Sequence, residues 1–376
     1  MGIAKKVVKY YNQERINSNH GCSPFESLRE TFTKINNCSS LKRTKSGSEK
    51  GFQFQLSSMD NIDLAKKILA RHKITSTTLV PLTGGQVNLI YKIDNGYILR
   101  IGRDKDSSRR LQHEFDLFKS LKDKIPVPEI CNTGEFDGNT YQIQKLIPGI
   151  LLSRIWRELT SKVKELLVKE IVTYLKILHQ ITFDNYGLQY SGEKYTRWVE
   201  FWEDKIRLLK VELSSIQTYL PEDILNLVFK HFETNKHLLG DGKPVFIHGD
   251  FWPGNILVHK NKVSGFLDFE FASQAPKEYE LLSIERFCLY PNDYEDEGKY
   301  TSTDFIDFAV LFKKYYPEIL EIKNLRKRLD LYQMIRCIES HIGYLERHLL
   351  SPEKYFPINP VAKITNFLYQ EGARIF

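Results

Sequence analysis

No stretch of this 376-residue chain holds the roughly 20 uninterrupted apolar residues that a membrane-crossing helix requires, which argues against a membrane partner. The N-terminus lacks the apolar core of a secretory signal, which argues against export. Cysteine is scarce. Cys22, Cys38, Cys131, Cys288 and Cys337 are odd in number, scattered and without metal-ligand spacing, the pattern of reduced thiols in a cytoplasmic protein. A mitochondrial presequence is disfavoured, because the leading segment carries glutamates and few arginines. Internal repeats are missing, and so is a charge excess in the body of the chain. Residues 1–58 carry ten Lys and Arg against four acids, which accounts for all but one of the seven net positive charges. The remainder is close to neutral, so the pI of 8.9 is poor ground for a nucleic-acid partner.

What remains is a chain long enough for two lobes, with the composition of a globular protein, 41% hydrophobic and 12% aromatic. Residues 1–58 read as a basic, partly disordered extension. Their polar stretches at 36–40 and 42–48 have a flexible composition, weak helical periodicity over 3–11 and 25–35 leaves room for a short helix or two, and Met59 is a candidate functional start. Residues 59–146 predict a small lobe. A helix over 61–73, capped by Asp60 or Asn61, precedes strands at 79–82, 89–93 and 97–101, the last two joined by an Asp94-Asn95-Gly96 turn. A charged helix over 108–121, an edge segment from Pro126 and a strand over 141–146 complete it. Pro148-Gly149 breaks the pattern. Residues 147–376 read as mostly helical, over 162–181, 195–216, 222–239, 303–316, 324–349 and 360–371.

Two strands interrupt those helices, and they carry the chemistry. Val245-Phe246-Ile247 leads into His248-Gly249-Asp250, Asn255 follows five residues later, and Asp268 sits in the next apolar segment, Phe266-Leu267-Asp268-Phe269-Glu270. Gly-Asp beside a histidine is by itself ordinary turn chemistry. A carboxylate between Leu267 and Phe269 is costly to bury unless it is paired or bound to a metal. An aspartate, an asparagine five on and a second aspartate on the following strand is the kinase arrangement. In that arrangement Asp250 would accept the proton of the attacking hydroxyl, while Asn255 and Asp268 would hold the Mg2+ that bridges the nucleotide phosphates. A tight loop would bring Asp250 and Asn255 to one edge of a small sheet, with Asp268 ending the facing strand.

Kinases also need a strand-turn-strand over the phosphates, a cation on the third strand and a helical glutamate to orient it. Gly84-Gly85 supplies the turn, with Gln86 to Asn88 able to aim backbone amides at anions. Arg100 occupies the third-strand place and Glu114 is its candidate partner. Arginine there offers a planar fork where lysine offers a point charge.

Together these residues resemble the aminoglycoside phosphotransferase family. The pattern is Gly84-Gly85 with Asn88, Tyr91, Ile98-Leu99-Arg100, Glu114, Pro126 and Pro128, Leu146-Ile147-Pro148-Gly149, His248-Gly249-Asp250 with Asn255, and Leu267-Asp268-Phe269. The resemblance covers residues 60–375 and is most specific at 246–270. It implies an α+β, protein-kinase-like two-lobed fold, with a small antiparallel sheet and one main helix in the N-lobe and a larger, mostly helical C-lobe. It also implies phosphorylation of a small-molecule acceptor by ATP or GTP with Mg2+, and base-edge contacts from the linker at Gln144 and Leu146. Two positions depart from the pattern. Arg100 stands where many members have lysine, and Glu280 stands where members often have aspartate. The absence of an Ala-Pro-Glu activation segment after Asp268 argues against a protein kinase. An aminoglycoside is a polycation, so Glu200, Glu203, Asp204, Glu280 and the acidic run at 292–297 are candidate acceptor residues, with solvated faces the competing reading for the α-helical carboxylates and the run. Choline, ethanolamine, sugar and homoserine kinases of the same fold remain alternatives, as does a catalytically silent nucleotide-binding protein.

Overall fold

The computed structural model of the chain describes residues 58–376 apart from 75–77, 83–87, 94–95, 216–219, 241, 295–299, 302, 351–359 and 370–373. Almost all of the basic extension therefore lies outside the described residues, as do Gly84, Gly85 and most of the acidic run.

The N-lobe is built on one antiparallel sheet. Its strands are β1 (Leu79–Pro81), β2 (Asn88–Ile93), β3 (Tyr97–Gly102), β4 (Ile130–Phe136) and β5 (Asn139–Lys145), in the order β1-β2-β3-β5-β4. The β2–β3 register sets Tyr91 opposite Leu99, and the β3–β5 register sets Leu99 opposite Ile143. Period-2 alternation then puts Tyr91, Ile93, Leu99, Ile101, Tyr141 and Ile143 in one buried cluster. Helix α1 (Ser58–Arg71) covers that cluster with Leu64, Ala65, Ile68 and Leu69, which fall on one helical face. It begins before the cap expected at Asp60 or Asn61.

Helix α2 (Lys105–Leu121) starts from a capping box in which Asp104 accepts the Ser107 N–H at 2.8 Å and Ser107 Oγ accepts the Asp104 N–H at 2.9 Å. It belongs to both lobes. Its Leu111 carbonyl accepts from the Gln142 side chain on β5, while Leu117, Phe118 and Leu121 join the large C-lobe core.

The C-lobe helices are α3 (Ser161–His179), α4 (Trp198–Ser215), α5 (Glu222–Asn235), α6 (Leu281–Leu289), α7 (Ile306–Tyr315), α8 (Leu325–Leu350) and α9 (Pro360–Leu368). Two three-stranded sheets sit among them. One runs β10 (Lys262–Phe266), β9 (Ile256–His259), β6 (Ile150–Leu151), and the other β7 (Gly187–Leu188), β11 (Ser273–Ala275), β8 (Val245–Ile247). Two expectations change here. β8 and β9, which flank the base loop, lie in different sheets, so the loop bridges sheets rather than capping one edge. Asp268 does not end a strand: β10 stops at Phe266, and Asp268 adopts a left-handed conformation at φ +62°. Helix α6, which amphipathic spacing did not predict, is buried all round, Glu285 and Arg286 included, so it shows no polar face.

Candidate active site

β8 is buried along its whole length and delivers His248 to the centre of the C-lobe. The next residue, Gly249, has φ +83°, and a Cβ there would overlap the Phe271 carbonyl oxygen, so only glycine fits. The chain then turns through Asp250 and a single helical turn, Pro253–Asn255, before β9. Asn255 Nδ2 donates to Asp250 Oδ2 and to the Asp250 carbonyl, both at 2.9 Å. The Trp252 indole donates to the same Oδ2 at 3.3 Å. Asp250 and Asn255 thus form one hydrogen-bonded unit.

His248 ties that unit to the second loop. Its Nδ1 accepts the Asp250 N–H at 3.3 Å, so its proton lies on Nε2, which donates to the Leu267 carbonyl at 3.0 Å. Burial lowers the pKa of this imidazole and favours the neutral form that this pattern needs. The Leu267 N–H in turn donates to the Asn255 carbonyl at 2.9 Å. The two loops are therefore cross-linked through both backbone groups of Leu267, the residue before Asp268.

A second chain of contacts enters from the N-lobe. Arg100, on β3, pairs with Glu114 of α2, and both are buried. Burial disfavours the arginine's charge, yet Glu114 and Asp268 hold the guanidinium firmly protonated. Glu114 Oε1 also accepts the Phe269 N–H at 3.3 Å. One glutamate thus links the third strand of the N-lobe to the residue after Asp268.

Negative charge is under-compensated here. Burial first, then Asp268, pushes Asp250 up to about 6. The same two causes push Glu270 up to about 8. Such neighbours call for a cation. Among the described residues no three His, Cys, Asp or Glu side chains are grouped to chelate a metal. Asn255 and Asp268 offer two hard oxygen ligands, because committing Nδ2 to Asp250 leaves Oδ1 as an acceptor. Mg2+ characteristically takes one or two protein oxygens and completes its octahedron with phosphate and water. The donor set fits that ion.

Beneath the loop lies Glu280, 1% exposed. Its two oxygens accept the His248 and Gly249 N–H groups at 2.9 and 3.2 Å, and His179 Nε2 approaches at 3.6 Å. The structure brings Glu280 to the loop's backbone, where it braces the turn instead of facing an acceptor. Ser283 Oγ adds a bond to the Gly249 carbonyl at 3.1 Å.

The other expected acceptor carboxylates have local partners. Glu200 accepts the Thr196 and Arg197 N–H groups at the start of α4. Glu203 pairs with Lys236 at 2.6 Å, and Asp204 takes the Arg207 guanidinium and the Tyr195 hydroxyl. In the nucleotide lobe, Asn88 begins β2, buried, with its Oδ1 unpartnered. Gln144 is buried near the end of β5, and its Oε1 is likewise unpartnered. The Leu146 N–H donates to the Gly96 carbonyl at 2.8 Å, so a base meeting this residue would find its carbonyl.

Three neighbours of Asp250 and Asp268 escape motif reasoning. Trp252 packs against Phe287 and Tyr294 with ring centroids 5.0 and 4.8 Å away. Glu270 was legible as a motif residue but not as a charged neighbour. Arg336, on α8, carries no sequence signal at all.

A sequence profile of the phosphotransferase enzyme family matches residues 78–293. Aminoglycoside 3'-phosphotransferase of Niallia circulans is 26% identical over 189 residues, 50% of this chain and 68% of that protein. The enzyme of the same name from Enterococcus faecalis is 24% identical over 60% of this chain and 81% of its own length. Hygromycin-B 4-O-kinase of Escherichia coli is 21% identical over 73% of this chain and 78% of its own. In fold, the chain resembles the crystal structure of aminoglycoside phosphotransferase APH(4)-Ia, with a TM-score of 0.59 over 83% of this chain and all of that one at 15% identity.

Proposed function

This chain belongs to the phosphotransferase enzyme family, and we propose that it moves the γ-phosphoryl group of ATP or GTP to a hydroxyl of a small molecule. One observation carries the reading: Asp250 and Asn255 form a single hydrogen-bonded unit, cross-linked through His248 and Leu267 to the segment bearing Asp268.

Asp250 is the general base. Asn255 and Trp252 both donate to its Oδ2, which aims the remaining oxygen, Oδ1, at an incoming hydroxyl. Asn255 Oδ1 and the Asp268 carboxylate would hold Mg2+, which neutralises charge developing on the phosphate oxygens. Arg100, aligned by Glu114, contacts the phosphates as a planar fork. We assign Gly84, Gly85 and Asn88 to the phosphates, and Gln144 and Leu146 to the base. We propose a cytoplasmic location, which the supply of nucleoside triphosphate there supports.

For the acceptor we propose an aminoglycoside-type or related polyol, which the named relatives support. The test is a phosphate-transfer screen with MgATP and MgGTP across aminoglycosides, choline, ethanolamine, homoserine and sugars, read as ADP or GDP release and as a phosphate mass shift. A phosphorylated product in the native chain and none in Asp250→Asn is the expected result. Equal nucleotide turnover in both proteins would refute the assignment.

A further inference from the structure

The mechanism leaves one charged group beside the base without a task. Arg336 projects from α8, and its guanidinium carbon lies 5.3 Å from the centroid of the Phe271 ring. Phe271 is the residue whose carbonyl packs against Gly249, next to Asp250. Arg336 therefore stands near the base loop, with the Phe271 ring between.

Its charge is poorly matched. Among the described residues its ion-pair partner is Glu339, at 3.5 Å, which is long for a charge-assisted bond. Glu339 is already engaged by Lys205 at 2.8 Å. Two cations share one carboxylate, and the surplus positive charge acts on Asp250, whose ionised form it favours. About a third of the Arg336 side chain is open to solvent. A guanidinium carries five N–H donors in a fixed fork matched to carboxylate and phosphate oxygens.

We propose that Arg336 is a second anion site of the active centre, binding an oxyanion beside Asp250. The inference rests on the phosphotransfer reading for its location, not for its chemistry. The oxyanion has two possible sources. It is either the phosphoryl group in transit or an anionic substituent of the acceptor, and the same guanidinium fork serves both. On the base loop itself, Trp252 donates to Asp250 and packs on Tyr294 with ring centroids 4.8 Å apart. Arg110 also lies over the Phe271 ring, 5.7 Å from its centroid, and acts electrostatically on Glu270.

The test compares the full chain with Arg336→Lys and Arg336→Met, the second keeping the aliphatic stem over Phe271. With the nucleotide site saturated by MgADP, inorganic phosphate is titrated calorimetrically. Loss of one bidentate contact predicts about tenfold or greater weakening in Arg336→Met, with Arg336→Lys intermediate, at an unchanged melting temperature. Native binding that is absent, or that is equal in all three proteins, overturns the proposal. This arm needs no catalysis, so it stands or falls apart from the Asp250 assignment.

A second arm separates the sources. If nucleotide hydrolysis with water as acceptor falls about tenfold or more in Arg336→Lys, the oxyanion is the transferring phosphoryl group. If hydrolysis holds while transfer to glycerate falls relative to glycerol, the oxyanion belongs to the acceptor. Unchanged hydrolysis together with an unchanged glycerate-to-glycerol ratio overturns the proposal.

Discussion

Two groups of carboxylates in the C-lobe invite comparison: Asp250, Asp268 and Glu270 around the base loop, and Glu200, Glu203 and Asp204 on α4. Both sit near tryptophans in acidic stretches of sequence. Their electrostatics run in opposite directions. On α4, Asp204 is held below the usual carboxylate range by the Arg207 guanidinium, and Glu203 pairs with Lys236. At the base loop, burial and like charge raise Asp250 to about 6 and Glu270 to about 8. A carboxylate that has found its cation nearby in the chain is stabilised in place. One kept short of positive charge is poised for a metal, a proton or a substrate.

The sharpest way to break the comparison is Asp250→Asn. Loss of the base should lower turnover by about 10²–10⁴-fold while nucleotide affinity, read by calorimetry, stays within about twofold. Turnover close to native would place Asp250 with the α4 carboxylates. Next in size, Asp268→Ala should weaken Mg2+-dependent nucleotide binding by about tenfold or more, leaving the metal-free binding unchanged. A Mg2+ dependence equal to that of the native chain would remove Asp268 from the metal site.

The third prediction is a pH profile. A base must be ionised to accept a proton, so kcat/KM should fall as pH drops below about 6, where the raised Asp250 carboxyl takes up its proton. The plateau lies above that pH. A profile flat down to pH 5 would contradict the assignment. Smallest of all, Glu203→Gln and Asp204→Asn should change stability by about 0.5 kcal/mol or less and leave turnover within about twofold, since both pairs lie on the surface. A tenfold loss in either variant would move α4 into the acceptor site.

Much of the fold is legible in the chain because it obeys single periods. β2, β3 and β5 alternate against α1, and α3 and α8 run within two residues of the spans that apolar spacing predicts. α6 escapes for the opposite reason, being buried on all sides with its Glu285 and Arg286 included. At the site, the nearness of Asp250 to Asn255 is written in five residues of loop. Contacts that join distant segments leave no such trace. Glu280 reaches His248 across 32 residues and Glu114 reaches Phe269 across 155. The sequence marks Glu280 as a departure but does not reveal that its two oxygens hold the backbone of the base loop.

Helix α2 has one foot in each lobe, with Leu111 and Glu114 facing the sheet and Leu117, Phe118 and Leu121 sunk in the helical core. Phe118 meets Phe269 edge-on at 5.5 Å, one residue beyond Asp268. Any opening of the cleft to admit or release nucleotide must therefore pivot on this rod, since sliding it would shear packed aromatic rings. The swing is small at the pivot and at the linker end of the sheet, where the Gly96 carbonyl accepts the Leu146 N–H, and grows towards the opposite end of the strands. Breathing there can proceed while the arginine fork and the paired loops keep their alignment.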